Sequence, residues 1–158
     1  MDEDISRHRI IVLGVDDSEW SEKAFDFFLK HVYVDGDHVI AVHCVEPLHP
    51  PVVPAAMASP EWKEHLDKHA KKIKDVETKY EDKGKENRLH MIIKVVAGSE
   101  AGAAICKEAT NEHASLVVVG SRGAGVVRRT ILGSVSSYVV HHAHVPVLVC
   151  PKPHSGHH

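Results

Sequence analysis

The chain has 158 residues, 43% of them hydrophobic and 26% charged, with a formal net charge of −3, ordinary values for one water-soluble globular domain. So weak a charge exerts no long-range pull on nucleic acid or anionic lipid, and no apolar run reaches the roughly 18 residues of a membrane span, so neither partner is expected. Cys44, Cys106 and Cys150 lack CxxC spacing, and the acidic start MDEDISRHRI lacks a signal peptide's order of bases then apolar residues, which together predict a reducing cytoplasmic setting with all three thiols acting as small buried hydrophobes.

RIIVLGV (9–15) is a β-branched run ended by Asp16-Asp17-Ser18 and reads as a buried strand. Ser18 or Asp17 is placed to cap a following helix, with Glu19 and Glu22 at its positive end and Trp20, Ala24, Phe27, Phe28 and His31 forming the inward stripe. Of the two roles open to Asp17, capping is favoured over holding a cation. HVIAVHCV (38–45) is a second buried strand. Residues 46–60 hold five of the eight prolines, which predicts an extended, mobile connection able to act as a lid or partner-binding flap.

Ser59-Pro60 opens a long helix in which Trp62, Leu66, Ile73, Val76 and Tyr80 keep a helical period to about Gly84, amid interleaved charges that mark a solvated face. RLHMIIKVV (88–96) is a third strand, and residues 99–113 a helix with Ala101, Ala104, Ile105 and Ala109 inward. SLVVVG (115–120) is a fourth strand, a helix carrying Val135, Tyr138, Val139 and His142 follows to about His144, and PVLVC (146–150) is the last strand. Strands alternating with helices predict an α/β domain with a mostly parallel sheet over residues 1–150, and a polar disordered tail at 151–158. His141, His142 and His144 suit a helix C-terminus better than a metal site.

The stretch VVVGSRGAGVVRRTILGSV (117–135) breaks from strand to helix through glycines, which implies a backbone approached closely or held at positive φ. It is not a Walker A loop, because no lysine precedes Ser134, and not a dinucleotide fingerprint, because Gly123-Ala124-Gly125 lacks the third glycine. Its spacing is Gly120-x2-Gly123-x9-Gly133-Ser134. With an aspartate closing the first strand and the finish HVPVLV, this resembles the universal stress protein family, in its ATP-binding branch, over nearly the whole chain.

The resemblance implies a Rossmann-like domain similar to the adenine nucleotide α-hydrolases, five parallel strands in the order 3-2-1-4-5 with helices on both faces. It implies ATP, or ADP or AMP, as ligand, with Mg2+. In that reading Asp16 meets adenine and ribose, Cys44 lies against adenine, and Gly120 sits beside the ribose. Gly123, Gly133, Ser134 and Val135 meet phosphate, and Val15, Asp17, Ser121, Arg122 and Ser136 complete the nucleotide-binding set. Arg128 and Arg129 are further candidates to neutralise phosphate. The resemblance also implies a homodimer through the 146–150 strand and a nucleotide-dependent regulatory role in stress response with an unidentified protein partner. No catalytic residue is assigned, and slow ATP hydrolysis by positioning alone is compatible. Two alternatives stay open: an adenine-nucleotide-using enzyme, although GVDDSEW carries no His-x-Gly-His or Ser-Gly-Gly-x-Asp-Ser signature, and a dimeric interaction module that binds no nucleotide.

Overall fold

β-branched runs bounded by turn residues become strands, and the segments between them become helices that cover the sheet. The computed structural model describes residues 8–121 and 132–151. In chain order it contains β1 (Ile10–Gly14), α1 (Glu19–His31), β2 (His38–Val45), a 3-10 turn (Pro54–Ala58), α2 (Pro60–Glu86), β3 (His90–Ala97), α3 (Ala101–Asn111), β4 (Leu116–Gly120), α4 (Ser134–His142) and β5 (Val147–Cys150). All four strand pairings are parallel, and the order is β3-β2-β1-β4-β5. The predicted fold and strand order are both found.

Because successive strand residues face opposite sides, β1 splits its apolar run between two cores. Ile11 and Leu13 join Phe25, Phe28, Val76 and Tyr80 under α1 and α2. Val12 joins Ile40, Val42, Ile105, Val117 and Val139 under α3 and α4. Two helices end without glycine: Arg88 (φ 54°) and His113 (φ 52°) take the left-handed conformation, and Leu89 and Ala114 donate back to Gly84 and Ala109. At the amino end of the sheet Arg9 donates from Nε at 2.8 Å to Asp37 and from Nη2 at 3.0 Å to the Val32 carbonyl, while the Val34 amide also donates to Asp37. Burial alone would raise the Asp37 pKa, but these Arg9 and Val34 donors outweigh it and hold the carboxyl below its usual value.

Three expectations are corrected. The inward face of α1 is Ser21, Ala24, Phe25 and Phe28. Phe27 is 41% exposed and packs on the exposed His31. Phe25 is fully buried in place of Phe27, and Leu29 and Val32 pack beside it, so the inward arc centres on Ser21, Phe25, Phe28 and Val32. Second, α2 buries only Val76, Tyr80 and Gly84, and Leu66 is 43% exposed, because its first half extends past the sheet it would need to pack on. Third, residues 46–60 are not wholly extended: Pro54–Ala58 forms a 3-10 turn, with Ala56 and Ser59 amides bonded locally. Of the thiols, only Cys150 is fully buried, and Cys44 and Cys106 are half-buried.

Candidate functional site

From the central pair β1 and β4 the chain departs to opposite faces, into α1 on one side and towards α4 on the other, and this opens a crevice at the carboxyl ends of the strands. A solvent-open cleft of about 100 Å³ lies there. Gly14, Val15, Asp16 and Gly120 form its floor, Val42 and Cys44 of β2 one wall, and Ala101, Ile105 and Val135 another. The floor is tight at Gly14, where a Cβ would lie 2.6 Å from Ile105 Cδ1. Among the described glycines only Gly36 has positive φ (95°), so Gly120 and Gly133 are not required for backbone conformation.

Asp16 is half-buried. Its Oδ1 accepts from the Ser18 amide at 2.8 Å and from the Ser18 hydroxyl, while its own amide donates to Ser21 Oγ at 3.0 Å. Oδ2 has no hydrogen bond among the described residues. The cap of α1 is Ser18, whose Oγ accepts from the Ser21 amide at 3.2 Å, which corrects the expectation for Asp17. Ser18 wins because the Asp16 carboxylate orients its hydroxyl. Asp17 is exposed and lies away from the cleft, in a shallow depression with Lys72, Asp75 and Lys79.

Cys44 presents its half-buried thiol to the cleft and donates to the Gly98 carbonyl at 3.5 Å. Burial, then the charge of Glu46, pushes this thiol pKa up, so it stays protonated and acts as an apolar surface. The neighbouring His43 is buried with Nδ1 unpartnered, and burial lowers its pKa against the pull of Asp16, Asp17 and Glu77.

Gly133 opens α4 with its amide donating to the Ser121 carbonyl at 2.6 Å, and Ser136 Oγ donates to the same carbonyl at 2.8 Å. Ser121 and Ser136 are thus buried ties that hold the start of α4 against the end of β4. Ser134, Val135 and Tyr138 line a second hollow beside the cleft, together with Ser99, Glu100 and Gly102 at the start of α3. Neither α3 nor α4 has a side-chain cap bond. Two sets of first-turn amides without a side-chain cap among the described residues, each at a positive helix end, therefore face one hollow, an environment that attracts anions.

Of the sequence-derived set, Val15, Asp16, Cys44, Gly120 and Val135 share the cleft, Gly133 and Ser134 stand at the adjoining helix start, and Ser121 and Ser136 lie beneath it. Arg122, Gly123, Arg128 and Arg129 fall outside the described residues, as does the tail beyond residue 151. Missed were Gly14, Ser21, Val42, Ala101, Ile105 and Val119; each reads locally as an ordinary strand or helix position, with no signal in the sequence. Among the described residues no three His, Cys, Asp or Glu side chains gather to hold a metal, and no helix is long and apolar enough to cross a membrane.

The universal stress protein family model matches residues 7–151. The chain belongs to the universal stress protein family. It is 30% identical over 144 residues to the universal stress protein in the QAH/OAS sulfhydrylase 3' region of Thermus aquaticus, covering 89% of this chain and 97% of that one. It is 30% identical to the universal stress protein PHOS34 of Arabidopsis thaliana, over 92% of this chain and 62% of the relative. The chain thus spans only about half to two thirds of longer universal stress proteins that it matches. Among solved structures, universal stress protein UspA from Lactobacillus plantarum superposes with a TM-score of 0.73 at 24% identity, covering 92% and 99% of the two chains. A family protein from Arabidopsis thaliana with AMP bound has a TM-score of 0.68 at 19% identity, over 92% of both chains. A universal stress protein in complex with cAMP has a TM-score of 0.63 at 21% identity, over 92% and 98%.

Proposed function

We propose that this universal stress protein binds an adenine nucleotide, ATP first among them, in the cleft between β1 and β4, and regulates a protein partner according to occupancy. One observation carries the reading: an apolar slot with a carboxylate at its edge adjoins a hollow faced by two uncapped helix starts. The slot suits a flat base, with Val42, Ile105 and the protonated Cys44 as apolar contacts. Asp16 Oδ2 is the acceptor for a ribose hydroxyl or base amino proton. The first-turn amides of α4, with the Ser134 hydroxyl, are the donors for phosphate. Structural neighbours named with AMP or cAMP bound agree with an adenosine-shaped ligand. Mg2+ supplies charge neutralisation when bound; as no acidic cluster is present among the described residues, the donor set fits an ion carried in by phosphate oxygens and water. This reading assigns no general base, so occupancy is the signal and any hydrolysis is slow.

Calorimetric titration with ATP and with adenosine tests it. Asp16→Ala should weaken both ligands by about ten- to a hundredfold, the cost of a hydrogen bond to a charged group. Gly133→Val, at a backbone of φ −75° and ψ 174° that any residue adopts, should keep its melting temperature and lose ATP. A wild-type chain that binds neither ligand, or a folded Gly133→Val with native ATP affinity, would return the chain to the interaction-module alternative.

A further inference from the structure

Tyr80 sits in the last third of α2, fully buried, with its ring edge-on to Phe25 at 5.5 Å. It does not line the cleft, and a phenylalanine would fill the same space. Its hydroxyl therefore needs its own explanation, because a buried hydroxyl demands a partner. That partner is Ser21 Oγ at 2.6 Å, from a residue 59 positions earlier that forms part of the cleft wall. Ser21 Oγ also accepts the Asp16 amide, the Ser21 amide donates to Ser18 Oγ, and the Ser18 hydroxyl donates to Asp16 Oδ1. The bonds form a closed circuit that grips Asp16 at both its amide and its carboxylate. Outside the circuit, Lys79 meets Glu22 at 2.6 Å and Lys83 meets Asp26 at 3.0 Å, which pins α2 to α1 and holds Tyr80 in register.

We infer that Tyr80 is a positioning residue for the nucleotide site: its hydroxyl, acting through Ser21, fixes the backbone and carboxylate of Asp16 in the conformation that receives the nucleoside. The inference rests on the nucleotide reading above and extends it to a helix that contributes nothing to the cleft wall. The Tyr80–Ser21 bond is buried and the rest of the circuit part-buried, and each bond orients the next, so loss of one hydroxyl loosens a group two bonds away. The phosphate donors on α4 belong to the opposite face of the sheet and are untouched. Adenosine and ATP must therefore lose affinity by the same factor in a chain that thermal melts show fully folded at the titration temperature, since a partly unfolded fraction would also lower both equally.

The test is titration of adenosine and ATP into the wild-type chain, Tyr80→Phe, Ser21→Ala and the double variant. Tyr80→Phe should weaken both ligands equally, by about two- to tenfold, the range expected for one neutral hydrogen bond. In the Ser21→Ala background the same change should add nothing, because the link is already cut. Native affinity in Tyr80→Phe while Asp16→Ala is weakened would overturn the relay and leave the nucleotide reading standing. A loss confined to ATP, or one that persists undiminished in the Ser21→Ala background, would also overturn it. If the wild-type chain binds neither ligand, the nucleotide reading itself fails and takes the relay with it. Should Tyr80→Phe not fold, the 19F resonance of Tyr80 in the 3-fluorotyrosine-labelled wild-type chain decides: it should shift on saturation with adenosine, and an unmoved resonance overturns the inference.

Discussion

Adjacent residues at the end of β1 have separate fates. Asp16 turns into a hydrogen-bonded circuit while Asp17 stays in solvent. On β2 the same alternation sends Cys44 to the cleft and His43 to the opposite face, where its Nδ1 is buried without a partner. Burial lowers the His43 pKa, and burial with the neighbouring His90 and His8 lowers that of His38. The unfolded chain titrates these groups near the ordinary value of about 6.5. A depressed folded value therefore contributes stability that is complete above that pH and is lost as pH falls through the folded value. Thermal melts should hold level down to about pH 6.5 and fall from there to pH 5. His43→Gln, which carries no titrating ring, should show a shallower fall with the part due to His38 remaining. An identical slope in wild type and variant would mean that His43 is not held neutral by the fold.

Helix placement decides whether the cleft has an anion-attracting neighbour. α3 and α4 approach closely because residue 102 is glycine: a Cβ there would lie 2.8 Å from Tyr138 Cβ. The clash is with the root of the tyrosine side chain, so a rotamer change cannot relieve it and a helix must shift. Gly102→Ala should therefore cost about 1–3 kcal/mol from overpacking, offset by no more than about 1 kcal/mol of gained helix propensity. Denaturant unfolding measures the net loss, and a stabilised variant would show that the helices separate freely. Because the shift moves two helix starts apart, ATP affinity should fall more than adenosine affinity, unlike the equal loss expected for Asp16.

At the scale of the whole molecule, β3 and β5 are the sheet edges. On β3, Ile92 is 50% exposed. β5 is short and its residues Val147, Leu148 and Val149 are half-buried, while Val140 on the neighbouring α4 is 45% exposed. An apolar edge of unpaired backbone groups favours pairing with a second chain, and we propose that β5 forms such a homodimer. Sedimentation should give a dimer at micromolar concentration, and Val149→Lys should shift it to monomer. A wild-type chain that sediments only as monomer removes the proposal.

The alternation of apolar runs with helical stripes, the cap at Ser59, and the glycine spacing from Gly120 to Ser134 were legible in the sequence, because strand period and cap chemistry act over a few residues, while at α1 the sequence left the cap between Asp17 and Ser18. From them came the parallel sheet, and from the resemblance its order and the crevice with Asp16 at its edge. What only the tertiary structure decided depends on groups distant in the chain. Tyr80 and Ser21 meet across 59 positions, on the face of α1 that turns inward. Gly102 meets Tyr138 across the gap between two helices, and α2 outruns the sheet that would have covered its first half. No periodicity encodes such meetings: each exists only once the sheet has brought its helices together, where a buried hydroxyl must find a partner and two side chains cannot share one space.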